Sequence, residues 1–334
     1  MANGKQQASG EDREIAALLE QVGPRVQPRP EAREAARAAT RQAWMATVAR
    51  HRANRQRRQF AVAAGLLLVA GLAAWFGSLQ QSVQASPVAQ VLAATGLVES
   101  RTGQVWTGLA TGDAVYTDME LRTGPEAGVV LAVTDGSQLK LGAASQLAWS
   151  ASSQVELKRG GLYLDSGSVT PARGALRIRT PHGDVRHLGT QYQLRVEATR
   201  LTVAVREGLV ELFRSGQAMT ASRGEALIAE AAGQIARSSV PTWGVDWAWA
   251  DQLPTPFVIE GRQLADFLAW AARASGRTLR FTTRAAEAAA RELTLRGDIG
   301  QLPAVEALDA VIAGTRFSYR LTNDGLLEVS LRSN

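Results

Sequence analysis

The sequence contains no cysteine, and only three of its 334 residues are lysine and three are histidine. Without cysteine the chain has no disulfide, no thiolate metal site and no cysteine nucleophile. The glycine motifs that bind phosphates and dinucleotides are also missing, as is a G-x-S-x-G nucleophile elbow. We therefore expect a protein that is not an enzyme, with no catalytic residue and no cofactor.

The basic charge is concentrated at the N-terminus. Residues 1–58 contain 12 Lys and Arg against 6 Asp and Glu, whereas the rest of the chain contains 25 of each kind. A domain that binds nucleic acid would present such an excess on a folded surface. Because the excess here ends beside an apolar stretch, we expect a role at a lipid bilayer and no direct contact with nucleic acid.

That apolar stretch is long enough to cross a membrane. No charge occurs from Phe60 to Leu79, and 20 helical residues span about 30 Å, the thickness of a hydrocarbon core. Residues 59–79 are therefore predicted to be a transmembrane helix, retained as an anchor because the stretch begins too late for a signal peptide. The positive-inside rule places residues 1–58 in the cytoplasm and the C-terminus outside. The topology signal consists of Arg50, Arg52, Arg55, Arg57 and Arg58.

The short cytoplasmic segment, residues 1–58, has helix-forming residues but too few apolar ones to build a core. Two interpretations remain open. The segment is either a helix lying beside anionic lipid or a docking helix for a cytoplasmic partner. In the second case Trp44 is a candidate partner contact.

In residues 88–237, short stretches in which every second residue is apolar recur about every eight positions. Turn signals such as Asp135-Gly136 separate these stretches. This spacing predicts an all-β domain, either a sandwich or a solenoid-like stack. Gly183, Gly189 and Gly208 are interpreted as positions where the backbone needs a positive φ or a close approach.

Two histidines in this region, His182 and His187, raise the question of a metal site. Their odd spacing puts them on opposite faces of a continuous strand, and Asp184 would be needed as a third ligand. The remaining histidine, His51, lies on the other side of the predicted membrane helix. We therefore expect no metal site.

A linker rich in tryptophan and proline follows, over residues 238–256. Its Trp243, Trp247 and Trp249 need somewhere to bury their indoles. We favour a joint packed between two domains. The alternative is an exposed patch that makes all three of them candidate partner contacts.

Residues 257–331 change to a mixed pattern. Strands are predicted at the sequences FVIEG and ELTLRG, and one helical face is expected from Leu264 to Ala272. Pro303 is expected at the first position of a second helix, and the turn Asn323-Asp324-Gly325 within a closing hairpin. The pattern predicts a small α+β domain, called the module below. The expected fold class of the whole chain is therefore a single transmembrane helix, followed by an all-β domain and then by this module.

The central region resembles the FecR-type family of bacterial inner-membrane sensors, and the C-terminal module resembles the short N-terminal domain of secretins and TonB-dependent transducers. The residues that carry the first resemblance are Asp135-Gly136-Ser137, Thr180-Pro181-His182-Gly183, Gly189-Thr190, Val205-Arg206-Glu207-Gly208-Leu209-Val210 and Gly224-Glu225. The second rests on Phe257-Val258-Ile259, the start of the helix at Leu264 to Leu268, Leu295-Arg296-Gly297, Ala307-Leu308 and Gly314-Thr315.

The resemblance implies a signalling role. A member of this family lies in the inner membrane, with its N-terminus in the cytoplasm and its C-terminus in the periplasm. Its implied partners are an extracytoplasmic-function sigma factor inside and the signalling domain of a TonB-dependent transporter, often one for an iron chelate, outside. The alternative is a membrane-tethered periplasmic binding or scaffold module, for cell-wall glycan or a secretin-like partner, without cytoplasmic signalling.

Overall fold

The computed structural model describes residues 86–167 and 176–332, together with five isolated helical positions before them, Ala17, Leu18, Glu31, Glu34 and Ala38. The transmembrane helix expected at 59–79, the five arginines before it and Trp44 lie outside the described residues. Within the described part of the chain, no helix has both the length and the apolar character needed to cross a membrane.

Fifteen strands form one large sheet between residues 89 and 239. They are β1 Ala89–Thr95, β2 Val98–Arg101, β3 Thr107–Gly108, β4 Ala114–Val115, β5 Glu120–Thr123, β6 Gly128–Val133, β7 Gln138–Leu141, β8 Gln146–Ala151, β9 Gln154–Asp165, β10 Arg177–Thr180, β11 Gly183–Val196, β12 Arg200–Arg214, β13 Gln217–Ser222, β14 Glu225–Glu230 and β15 Ile235–Ser239.

The main path of this sheet runs in the order β15-β14-β12-β11-β10-β9-β7-β6-β1-β4. A branch leads from β9 through β8 and β5 to β2 and β3, while β13 pairs with β12. All of these pairs are antiparallel except β9 with β10. The described chain is thus mostly β-sheet with a few helices, which confirms the expected predominance of strands.

The core of the β region comes from the alternation seen in the sequence. Strand β9, for example, buries Val155 and Leu157 near its start, and Leu162 and Leu164 near its end join the same core. Successive side chains of a strand point to opposite faces, so one apolar residue in two is enough to fill the interior. The largest fully buried side chains there include Trp149 and Tyr192.

The linker between the two sheets contains a short 3₁₀ turn, Val245–Trp247, followed by helix α1, Ala248–Asp251. The C-terminal module then has three helices and three strands. They are α2 Leu264–Ala274, β16 Thr278–Phe281, α3 Arg284–Glu292, α4 Ala304–Ala313, β17 Phe317–Leu321 and β18 Leu326–Leu331.

The small sheet of the module has the order β16-β18-β17, and β17 and β18 form the expected hairpin. Helix α2 buries the predicted face, including Phe267 and Leu268. Two expectations were wrong. The strands expected at FVIEG and ELTLRG do not form, and the isolated bridge of Thr294 is made with Gln263, after FVIEG. Pro303 caps helix α4 rather than beginning it.

Candidate functional site

Two of the motif pairs quoted above meet across strands β11 and β12. The ladder between these strands shifts its register between Leu188 and Gln191, which leaves Gly189 and Thr190 bulged out of the regular pairing. On the opposite strand Gly208 has φ +79°, and a Cβ atom there would lie 2.2 Å from the carbonyl oxygen of Gly189. Only glycine fits this crossing, because both the positive φ and the close approach exclude a side chain.

The bulge is tied to the end of strand β9 by a serine. The backbone NH of Ser166 donates to the carbonyl of Thr190 at 3.0 Å, and the NH of Thr190 donates to Oγ of Ser166 at 2.7 Å. This reciprocal pair satisfies two backbone groups that the bulge removes from the ladder. The bulge at Gly189 and Thr190 is therefore in contact with the end of β9 as well as with β12.

The motifs Asp135-Gly136-Ser137 and Thr180-Pro181-His182-Gly183 form turns that their own side chains close. Oδ1 of Asp135 accepts hydrogen bonds from the NH and Oγ of Ser137, at 2.9 and 2.5 Å, around Gly136 with φ +89°. Oγ1 of Thr180 donates to the carbonyl of Gly183 at 2.7 Å across the turn that contains Pro181. Such local hydrogen bonds stabilise a turn without tertiary support.

The two described histidines have different surroundings. The ring of His182 is exposed at a turn, with Nε2 2.9 Å from the carbonyl of Glu197. His187 is only 4% exposed, and neither ring nitrogen has a hydrogen-bond partner. Burial lowers the pKa of His187, and Asp135 opposes this effect. Among residues 86–167 and 176–332, no group of three His, Asp or Glu side chains is arranged to hold a metal ion.

A charged cluster lies where the large sheet meets the linker and module. Its centre is Arg206 on β12, whose side chain is only 1% exposed. Both terminal nitrogens donate to the Asp251 carboxylate, at 2.8 and 3.0 Å. The guanidinium also donates to the carbonyls of Thr242 and Ala274, and it lies 4.4 Å from the centre of the Trp247 ring. One side chain thus connects the sheet, the linker and helix α2.

A second ion pair lies beside the bulge. Arg273 of helix α2 donates to both carboxylate oxygens of Asp165, at 2.6 and 2.8 Å, and its Nε lies 3.0 Å from Glu207. Burial alone would raise the pKa of Asp165. The hydrogen bonds from Arg273, Gln191 and the NH of Gly167 outweigh burial and hold that pKa below its ordinary value.

A buried lysine makes the third connection. Nζ of Lys140, on β7, donates to the carbonyls of Ala250 and Leu253 and to Oγ1 of Thr255, all within 2.9 Å. Its residue is 2% exposed, and burial lowers its pKa to about 8. All three ammonium hydrogens therefore have an acceptor in the linker.

The linker tryptophans pack against glycines and backbone. Trp247 is fully buried, and its Nε1 donates to the carbonyl of Pro241 at 2.7 Å. Trp249 lies over Gly142, where a Cβ atom would be 2.8 Å from the indole, and donates to Gln193. Trp243 lies against Gly325 of the module, where a Cβ would be 2.5 Å from its ring. The indoles of Trp243, Trp247 and Trp249 thus make intramolecular contacts, in which glycines supply the space.

The contacts between the large sheet, the linker and helix α2 form a joint whose charged residues were not predicted from the sequence. These residues are Lys140, Asp165, Asp251 and Arg273. Arg206 was noted only as part of a family motif. One signal was available. Lys140 is one of only three lysines, and it stands between two buried leucines of an apolar strand. The others are ordinary surface residue types whose partners are 45 to 108 positions away.

Comparison with known proteins gives one family match. Residues 119–211, from the start of β5 to within β12, match the family described as FecR protein. No curated protein is significantly similar to the chain. Two crystal structures of a candidate anti-sigma factor from Parabacteroides distasonis, at 1.65 and 2.50 Å resolution, are 18% identical. Each covers 64% of this chain and 99% of its own, with a TM-score of 0.35.

That TM-score is too low to carry an argument about fold or function, so the assignment rests on the family match. The matched residues contain the Asp135 turn, the Thr180 turn and both sides of the bulge at Gly189 and Gly208. These are the elements that the structure holds together by close approach and local hydrogen bonds. Residues 119–211 therefore form a FecR domain.

Proposed function

We propose that the chain is a single-pass transducer of the bacterial inner membrane that regulates an extracytoplasmic-function sigma factor. The FecR domain at residues 119–211 carries this proposal, since the family resemblance implies a regulator rather than an enzyme. The apolar residues 59–79 and the arginines before them support a membrane crossing with the N-terminus inside. Residues 1–58 are then the segment that contacts the sigma factor.

On the periplasmic side, we propose that the signal comes from the signalling domain of a TonB-dependent transporter in the outer membrane. Two observations support this partner. The C-terminal module resembles domains found in such transducers, and it is joined to the FecR domain through Arg206 and Arg273, while Lys140 holds the linker. A partner that binds the module would therefore act on the FecR domain through these contacts.

The decisive experiment replaces residues 1–49 with an unrelated sequence and keeps residues 50–58, so that the topology signal is unchanged. Transcription from a promoter of the sigma factor encoded beside the gene is measured with and without inducer. We expect the response to inducer to fall at least tenfold, because the sigma-binding segment is gone while the anchor remains.

A matched control replaces only residues 1–10 and should respond like the wild type. A reporter fused after Asn334 tests the topology separately, and a cytosolic reporter would refute the proposed orientation. If the residue 1–49 replacement signals normally, the tail serves only as an anchor, and the tethered scaffold becomes the better account.

A further inference from the structure

The large sheet and the C-terminal module have separate hydrophobic cores. The core of the sheet is built from residues between Val88 and Ala229, and that of the module from residues between Ile259 and Val329, with no buried member in common among the described residues. Only a small third cluster, around Tyr163, Trp247 and Ala250, lies under the linker. Separating the module from the sheet would thus leave both cores closed.

The joint that connects these cores contains several ion pairs beside that small apolar cluster. Its ion pairs are Arg206 with Asp251 and Arg273 with Asp165 and Glu207. Water already reaches part of it, since the side chains of Arg273 and Glu207 are 36% and 47% exposed. Charged groups that separate regain their hydration, whereas an apolar interface would lose the favourable free energy of burial. Interfaces of this polar kind between domains permit relative motion.

We infer that the linker and the C-terminal end of helix α2 form a releasable latch, which lets the module separate from the FecR domain while both remain folded. Arg206, Asp251, Arg273 and Asp165 hold the latch closed. Lys140 holds the linker against the sheet through three oxygen atoms.

The latch is directly connected to the bulge of the FecR domain. Arg206 and Glu207 immediately precede Gly208, and Asp165 immediately precedes Ser166, which ties down Thr190. Release of Arg273 would therefore free two carboxylates on either side of the β11–β12 crossing. A movement of the module would thus change the contacts of strands that lie far from the module's own core. This coupling does not depend on which partner binds the module.

A pair of glycines allows the latch to be opened without altering its charges. Gly276 has φ +66°, and a Cβ there would lie 1.9 Å from the carbonyl of Thr242 and 2.5 Å from Nε of Arg206. Gly300, in the same module, has φ +58° and no atom within 4 Å of a Cβ. Gly276→Ala and Gly300→Ala therefore carry similar backbone strain, and only the first pushes the linker away.

The test is hydrogen–deuterium exchange of the full chain. In Gly276→Ala we expect the amides of residues 247–253 to exchange at least tenfold faster. The amides of β6 and β7 in the sheet, and of α4 in the module, should exchange as in the wild type. Gly300→Ala should leave residues 247–253 unchanged. Local opening of one segment with protected cores is the signature of a separable unit.

Arg273→Gln gives an independent test if Gly276→Ala proves too unstable to study. It removes the ties to Asp165 and Glu207 at a partly exposed position, and Arg291→Gln, in an exposed pair within helix α3, is its control. We expect faster exchange in residues 247–253 for Arg273→Gln alone. Faster exchange of both cores together with the linker, or no change at the linker in either variant, would overturn the latch.

Discussion

Substitution of Gly208 by alanine tests whether the β11–β12 crossing needs glycine for its close approach or only for its φ. The chain offers a closely matched control, because Gly216 in the β12–β13 hairpin has φ +78° against +79° for Gly208. A Cβ at Gly216 has no atom within 4 Å, whereas a Cβ at Gly208 would lie 2.2 Å from the Gly189 carbonyl and 2.7 Å from Cγ2 of Thr190.

The strain of a left-handed backbone costs a non-glycine residue about 1–2 kcal/mol, and both alanine variants carry it. Overpacking in a region that cannot move freely adds about 1–3 kcal/mol, and only Gly208→Ala carries this second cost. We therefore expect Gly216→Ala to lose about 1–2 kcal/mol of unfolding free energy and Gly208→Ala about 2–5 kcal/mol.

The assay is urea unfolding of the full chain, followed by the far-ultraviolet circular dichroism of the β-sheet. The quantity that decides the matter is the difference between the two variants, since backbone strain cancels in it. Equal losses in Gly208→Ala and Gly216→Ala would show that the crossing relaxes without cost. The close approach at Gly189 would then not explain why glycine stands at that position.

Two further predictions concern buried charge. Arg206→Leu should lose about 3–5 kcal/mol of unfolding free energy in the same assay, because the Asp251 carboxylate and two carbonyls lose their donor. Arg206→Lys should recover only part of this loss, since an ammonium group cannot replace the guanidinium fork. Full recovery of the unfolding free energy in Arg206→Lys would contradict this reasoning. For His187, whose pKa is lowered by burial, stability should fall as the pH falls below about 6.5, where the unfolded chain takes up a proton that the folded chain resists. His187→Phe should reduce this loss between pH 8 and pH 5, and a pH profile identical to that of the wild type would exclude His187 as the cause.

The predominance of strands in residues 88–237 could be predicted because alternation is a local property. Strand β9 buries Val155 and Leu157 on either side of the exposed Glu156, and the turn at Asp135 is closed by residues two positions apart. In the module, helix α2 buries the face that its spacing indicates. The strand expected at FVIEG was wrong, since the isolated bridge nearby joins Thr294 to Gln263, which lies after that stretch.

The charged joint could not be predicted in the same way. Arg273 and Asp165 are 108 positions apart, and Lys140 is 110 to 115 positions from its three acceptors. Apart from the position of Lys140 between two leucines, nothing in the local pattern distinguishes these residues from solvated surface charges. Their burial arises only when the linker and helix α2 cover the sheet.

By itself, the sequence determined the strand-rich central region and the expectation of a membrane anchor, because composition and short-range periodicity encode both. The FecR motifs could also be read from the sequence, but only as a resemblance to a family. The tertiary structure alone decided that Gly208 faces Gly189 and that Arg206 is enclosed by Asp251, Trp247 and the end of helix α2. These features depend on which distant surfaces come into contact. That outcome is set by the packing of whole elements, and it leaves no periodic trace in the chain.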